Sequence, residues 1–456
     1  MRMLTTADRL ARPVSVLPVP SLSARAMGQF RLVFALLLFY VVAIDPPRAT
    51  PLALQRSYSW LADWSWVHSL ASNAAACQGV HAATLLAIAC FAIGLQTRAA
   101  YIVAVAGLFI SRLIDLHSNG THDWDLPLLT LAVLTVVPWG DGFSLDRRLP
   151  RGSDDQRTRA QAYGLPICLP GLTSGLALAA AAYAKIANSG LAWITSGAVR
   201  YHFVEDAANA PVDWGLWVAS QPHVAMLLSL GAVLREAGFI ANVFVRSAAG
   251  RLAFGGAGLL FFAGLYMFQG VFWQPWIMLL VVFLPWTRLD GPAAVFAGHT
   301  SLRPWHGLVI AFVVSQQLVA SLTATEIEPF VSHYSMYSGT YESPEAFERA
   351  RYRKLQQLVF VAADADVTAR IEAIEHAPEN LLNAAEQTLR GEAIDEDLRR
   401  ALAGLRAEYR GRFGSDLQRI SVSANRVLFD WTEGKFDDPV GVHLATVTLP
   451  ANDDRE

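Results

Sequence analysis

Apolar residues in the first 325 positions gather into nine stretches, at 27–44, 81–95, 99–113, 126–139, 165–186, 223–245, 254–268, 271–285 and 306–323. A bilayer core about 30 Å thick takes roughly 20 residues of helix. Some stretches fall short of that, so the pattern fits eight to ten spans, with nine expected. The seventh and eighth are divided only by a tight turn. The pattern changes after Thr323. Charged residues then recur at helical spacing over 344–356, 368–375, 378–389 and 395–413, whereas 419–430 and 442–449 alternate like strands. The expected fold is an all-α polytopic membrane protein of about nine transmembrane helices, with a small α+β soluble C-terminal domain. Its divisions are an N-terminal tail (1–27), a transmembrane domain (28–324) and a soluble domain (325–456). No internal repeat is apparent.

Composition agrees. The chain of 456 residues is 53% hydrophobic and 16% charged, against about 25% charged in ordinary soluble domains. That deficit of charge counts against a purely soluble enzyme, and the high hydrophobicity excludes a disordered chain. A net charge of −3 gives no reason to expect a nucleic-acid partner. Cys77, Cys90 and Cys168 are too few and too scattered for a disulfide framework or a CxxC metal site.

Arginine placement orients the chain. Arg2, Arg9, Arg12 and Arg25 precede the first stretch, and Arg98, Arg147, Arg148, Arg246, Arg251 and Arg288 mark every second loop after it. The positive-inside rule puts the N-terminus in the cytoplasm. Nine spans then put the C-terminal domain in the periplasm of a bacterial inner membrane. The bacterial source is read from the arginine bias, since only Lys185, Lys354 and Lys435 of 36 basic residues are lysines. Trp60, Trp64, Trp66, Trp193, Trp214, Trp217 and Trp273 crowd the opposite loops, where aromatic residues favour the interface.

Ionisable residues at membrane depth carry the candidate chemistry, because their burial is costly. Lys185 is the foremost, being the only lysine among the first 353 residues. Its helix neighbours are alanines, an isoleucine and Tyr183, and desolvation there favours the neutral amine that a base requires. The bland alternative is a snorkelling lysine. A second cluster, Asp115, His117, Asn119, Thr121, His122, Asp123 and Asp125, precedes the fourth stretch, and helix capping competes with function there. Its spacing matches no standard metal site, so no metal is expected. Arg235 and Glu236 are adjacent on the sixth stretch and cannot face each other. Each is expected to pair with another helix. Tyr201, His202, Glu205, Asp206 and Asp213 read as an interfacial loop, with a lesser prospect of lining an outer pocket.

Taken in order, several short motifs resemble the HTTM (horizontally transferred transmembrane) domain family, which includes the vitamin K-dependent gamma-carboxylases. They are Phe30-Arg31-Leu32, the run from His122 through Pro138-Trp139 to Ser144-Leu145-Asp146, and Tyr183-Ala184-Lys185 followed by Trp193, Gly197 and Tyr201. Glu236-Ala237-Gly238-Phe239, Gln274-Pro275-Trp276 and Tyr334-Ser335-Met336-Tyr337 complete the series. The likeness covers residues 28–325 and ends by about 345. It implies a catalytic site with Lys185 as the base and His122 beside it. Asp123, Asp125, Tyr183, Trp193 and Glu236 are the associated binding candidates. It also implies a reduced quinone or vitamin K-like molecule as the partner, reached from the bilayer. The family's later histidine has no counterpart, since Phe261-Phe262 stand in its place. A transporter or lipid-handling protein, binding through the same residues without chemistry, is the alternative expectation.

Overall fold

The structure is a computed structural model that describes residues 19–20, 22–49, 64–116, 122–148, 163–245, 247–286, 304–325, 332–334, 337–351, 356–363, 365–426, 428–438 and 440–450. Its membrane-type part opens with α1 (Ala24–Ile44), a short α2 (Ser65–Ala71) and the hairpin α3 (Ala74–Ile93) and α4 (Thr97–Leu116). A 3₁₀ turn, His122–Trp124, leads into α5 (Asp125–Val133), which tightens to 3₁₀ over Leu134–Val136. The long α6 (Leu165–Ser189) is followed by three short helices, α7 (Ala192–Thr195), α8 (Val199–Glu205) and α9 (Trp214–Ala219). Then come α10 (Pro222–Gly238), extended as 3₁₀ over Phe239–Phe244, and α11 (Ala248–Gln269). α12 (Gln274–Leu279) ends in 3₁₀ over Leu280–Phe283, and α13 (Pro304–Thr323) closes the series.

Six of these helices (α1, α3, α4, α6, α10 with its extension, and α11) are long and apolar enough to cross a membrane. The other three predicted stretches are shorter apolar helices, Asp125–Val136, Gln274–Phe283 and Gly307–Thr323. The boundaries differ most at α3, which starts seven residues before the expected 81. Asn73 caps it there, its side-chain oxygen accepting from Ala76 N at 3.1 Å. In the most apolar window of α6, 83% is buried, against 17% in α11. α6 is therefore the central helix and α11 a peripheral one. Small residues let neighbours approach α6: a Cβ on Gly175 would lie 2.9 Å from the Ile240 backbone. Polar ties reinforce that packing, with Thr130 and Thr173 hydroxyls 2.8 Å apart and Asn242 Nδ2 donating to Gly171 O at 2.9 Å.

Two of the short helices end in the same way. α5 and α12 are both short, both tighten into 3₁₀, and both end at a Pro-Trp corner, Pro138-Trp139 and Pro285-Trp286. In the first corner Trp139 Nε1 donates to Leu134 O at 3.0 Å, and in the second Trp286 Nε1 donates to Val281 O at 2.9 Å, each five residues back. Backbone bonds match as well: Trp139 N to Val137 O at 2.9 Å, and Trp286 N to Leu284 O at 2.8 Å. Both indoles pack on Phe30 of α1, at 6.2 and 5.3 Å between centroids. The two short helices thus point the same way, touch each other, and both pack on α6.

Two motifs behind the family resemblance turn out to be architectural. Arg31, fully buried, donates to Trp139 O and Phe143 O at 2.6 Å each. Ser144 Oγ donates to Gly94 O at 2.7 Å, while Asp146 accepts from Gln96 N at 2.8 Å and Thr97 N at 2.7 Å. Asp146 thereby satisfies free amides at the start of α4. Burial pushes its carboxyl up, but the Thr97 and Gln96 hydrogen bonds and the Arg31 charge outweigh burial and hold it below the usual carboxylate range.

The C-terminal part is α+β, as expected, with one addition. α14 is described over Pro344–Arg351, and Gln356, read as the last residue of a helical run, instead opens strand β1 (Gln356–Ala362). It pairs with β2 (Ala365–Asp366) and β3 (Arg419–Arg426), and β3 pairs with β6 (Val440–Thr448), giving the antiparallel order β2-β1-β3-β6. The short helices α15 (Thr368–Glu372), α16 (Ala377–Leu389) and α17 (Glu396–Phe413) cover one sheet face, burying Phe360, Leu381, Leu402, Leu405, Ile420 and Val422. A separate hairpin, β4 (Phe429–Asp430) with β5 (Lys435–Phe436), joins α14 against α8 and α9. There Tyr201, Phe347 and Trp431 interlock, and the Arg200 guanidinium lies 4.5 Å over the Trp431 ring.

Candidate functional site

Lys185 and Glu236 face each other across α6 and α10. Lys185 Nζ lies 3.1 Å from Glu236 Oε1 and 3.0 Å from Oε2, with the two side chains 5% and 7% exposed. The expected interhelical partner of Glu236 is thus Lys185 itself. On its own helix Lys185 has only apolar neighbours, but a carboxylate comes to it from the next helix. The ammonium also sits 5.4 Å from the Trp193 ring. Glu236 is stacked one turn above the 3₁₀ extension of α10, which α6 grips through Gly171 and Gly175. That grip fixes the spacing of the two helices.

The pair borders a cavity of about 40 Å³, walled by Ala177, Leu178 and Ala181 of α6, Phe261 and Leu265 of α11, Trp273 and Trp276, and Tyr334 and Tyr337. A water needs about 10–15 Å³ on this scale, so the space holds roughly three waters or a group of that size. Phe261 is thirteen residues from the start of α11 and eight from its end. At about 1.5 Å per residue the cavity lies ~20 Å from one end of that helix and ~12 Å from the other, so it is internal to the span. Trp276, 3% exposed, has no hydrogen-bond acceptor for its indole N–H among the described residues. An unmet buried donor costs about 1–3 kcal/mol, which a ligand oxygen would offset.

The segment after α13 forms the outer wall. Tyr334 and Tyr337 hold left-handed backbone conformations, with φ of 52° and 57°. Such strain in a bulky residue persists only where the surroundings impose it. Trp193 Nε1 donates to Tyr337 O at 2.8 Å, Asn188 Nδ2 to Ser338 Oγ at 2.8 Å, and Ser189 Oγ to Ser338 O at 2.7 Å. Gln317 of α13 donates to Ser332 O at 3.1 Å. The segment is therefore stitched over the end of α6.

Of the residues expected at the site, Lys185, Glu236 and Trp193 come together. Tyr183 does not. It is half exposed, because two residues along a helix turn it to another face. Asp123 and Asp125 lie at the start of α5 and do not line the cavity. Trp124 between them sits 4.9 Å from the Arg112 guanidinium, which pairs with Asp45 at 2.8 Å and Asp115 at 3.1 Å. The turn His122–Trp124 packs on α12, which carries Trp276. The His122 side chain lies outside the described residues, as do His117, Asn119 and Thr121, so its expected approach to Lys185 falls outside them too. Arg235 points to another neighbour, its guanidinium 4.4 Å from both the Phe239 and Phe261 rings. Among the described residues no three His, Cys, Asp or Glu side chains are grouped to hold a metal.

Sequence reasoning passed over Phe261, Leu265 and Tyr337 as site residues. Only the concentration of aromatic residues at 261–276 and 334–341 could have pointed to them. Fold and site together define a polytopic α-helical protein with a buried ion pair beside an aromatic cavity. No family model, no curated protein and no solved structure matches the chain.

Proposed function

We propose that this chain is a multi-pass enzyme of the bacterial inner membrane that removes a proton from the hydroxyl of a lipid-soluble aromatic molecule of the quinol type. The observation that carries the reading is the Lys185–Glu236 pair, buried and opening on an aromatic cavity. An ion pair taken out of water gains little stability over apolar residues of similar volume. A structural clamp alone is a weak reason for it.

The pair is suited to accept a proton. It holds one proton either as ammonium with carboxylate or as amine with carboxylic acid. Acceptance of a second proton gives the same product from both forms: a Lys185 ammonium, a protonated Glu236 and an oxyanion beside the ammonium. The present space admits the hydroxyl-bearing edge of such a ligand, and entry of a whole ring requires the Tyr334–Tyr337 wall or Phe261 to move aside.

The likeness to gamma-carboxylase-type HTTM proteins is part of this proposal. Its motifs supply Lys185, Glu236 and Trp276, which line one cavity, and Trp193, whose ring lies against the Lys185 ammonium. Phe261, where the family's later histidine is missing, is in the cavity wall, so the full carboxylation chemistry is not included in the proposal. Nine spans with the N-terminus inside and the C-terminal domain in the periplasm complete the reading.

One observation favours a second reading, a transporter. Paired short helices in corresponding places mark the substrate sites of repeat-built transporters, and α5 and α12 are such a pair. Mass spectrometry of small molecules co-purified with wild-type protein and with Lys185→Met separates the readings. The enzyme reading expects a hydroxyaromatic lipid and its chemically altered product, both lost in the variant. A single unaltered solute, carried across proteoliposomes, would replace it with the transporter.

A further inference from the structure

A second group of titratable side chains lies directly behind the cavity. Tyr337 lines the cavity, and its hydroxyl is hydrogen-bonded to Asp206, just past the end of α8. Asp206 also accepts from Gln269 Nε2 of α11 at 3.2 Å. His202 packs edge-on against the Tyr337 ring at 5.0 Å, with its Nε2 3.3 Å from Gly339 O and its Nδ1 3.9 Å from Glu205. His202 is buried and the Glu205 side chain is only 6% exposed, whereas Asp206 is half-buried. The groups facing Tyr337 are thus His202, Glu205 and Asp206 from α8 and its end, Gln269 from α11, and Lys185 and Glu236 across the cavity.

We propose that Tyr337 and Asp206 conduct protons between the Lys185–Glu236 pair and the water over α8. This rests on the proton-accepting role of that pair. Once the pair has taken a proton from a ligand hydroxyl, the proton must leave before the next cycle. Roughly three waters fit in the cavity and bridge Glu236 to Tyr337. A proton then arrives at the Tyr337 oxygen as the Tyr337 hydroxyl proton passes to the Asp206 carboxylate. Asp206 releases it to solvent, and the Tyr337 hydroxyl turns back. One proton moves outward and no electrons are exchanged. Burial, followed by the charges of Asp206 and Glu205, pushes the Tyr337 phenol well above its ordinary value, so it relays as a neutral hydroxyl and is not trapped as phenolate. His202 and Gln269 are positioning residues that hold the ring and the carboxylate in line.

The test uses the full chain in lipid nanodiscs with 2-naphthol, whose acid and anion differ in absorbance. Wild-type protein should stabilise bound naphtholate in a manner abolished by Lys185→Met. After a jump in pH, naphtholate should form at a rate slowed on the order of 10²-fold in Tyr337→Phe and Asp206→Asn. In Asp206→Asn, whose side chain does not line the cavity, the final amount of naphtholate should be unchanged, and the wild-type rate should fall in deuterium oxide. Wild-type rates in both variants would overturn the relay while leaving the base intact. Reduced naphtholate at an unchanged rate would also overturn it, by showing a binding role only. Absence of any Lys185-dependent naphtholate would overturn the base reading and the relay with it.

Discussion

Removing one member of the Lys185–Glu236 pair and then both separates its contribution to stability from its chemistry. The N–O distance is 3.0 Å and the side chains are 5% and 7% exposed, so neither charge is open to bulk water. Lys185→Met strands a carboxylate and Glu236→Leu strands an ammonium. Each is expected to cost about 3–5 kcal/mol, the range for one half of a buried pair. The double variant strands nothing and should lie near wild type, or up to about 4 kcal/mol above it. The two single costs less the double then give a coupling of at least about 6 kcal/mol, well beyond the ~0.5 kcal/mol within which independent substitutions add. The assay is reversible unfolding in mixed micelles, with the same four proteins scored for 2-naphthol deprotonation. The expected pattern is stability regained and deprotonation still absent in the double variant. Additive single effects would falsify the desolvated pair. A double variant that still deprotonates would move the base elsewhere.

Other outcomes follow from the same structure. Lys185→Arg should insert and fold yet support only weakly a phenotype that depends on the gene, because guanidinium stays charged at any usable pH and removes the amine–acid form of the pair; full complementation at normal expression would show that Lys185 never gives up its charge and that Glu236 alone accepts the proton. Alkaline phosphatase and GFP fusions after residues 160 and 345 should show phosphatase only at 345 and fluorescence only at 160, and the reverse would remove the outward-facing site. The Asp146 carboxyl is held low in the folded protein, so its contribution is present in full above the unfolded value of about 3.9 and is lost as pH falls through the lower folded value. Asp146→Asn should accordingly flatten the acid limb of stability against pH, and an unchanged limb would show that the Thr97 and Gln96 contacts do not govern it.

Hydropathy located every apolar helix because burial in lipid needs long uninterrupted runs, a signal carried by single residues. Lys185 stood out for a similar local reason, as a lone lysine in an arginine-rich chain. What depended on tertiary contact was hidden. Tyr183 is close to Lys185 in sequence and was expected beside it, yet helical rotation turns it outward. Strand β1 reads Leu358-Val359-Phe360-Val361, but the charged run before it kept a helical spacing up to Gln356 and masked the change. The paired Pro-Trp corners share only two identical residues in direct alignment over 134–139 and 281–286. Their likeness lies in indole-to-carbonyl bonds that no composition shows. The cavity walls come from positions 177 to 337, so only folding brings them to one place.

The segment stitched over α6 bears on modularity. Hydropathy would divide the chain near residue 325, with a lipid-embedded unit before it and an interchangeable tail after it. Tyr334 and Tyr337 lie beyond that line and yet wall a cavity inside the span of α11. A few residues further on, the chain enters α14, which docks on α8 through Phe347 and Tyr201. A truncation at 325, or a graft of a foreign outer domain there, would leave the cavity without two of its aromatic walls. The unit that has to be inherited whole therefore extends into the tail through α14 and includes the β4–β5 hairpin that docks beside it.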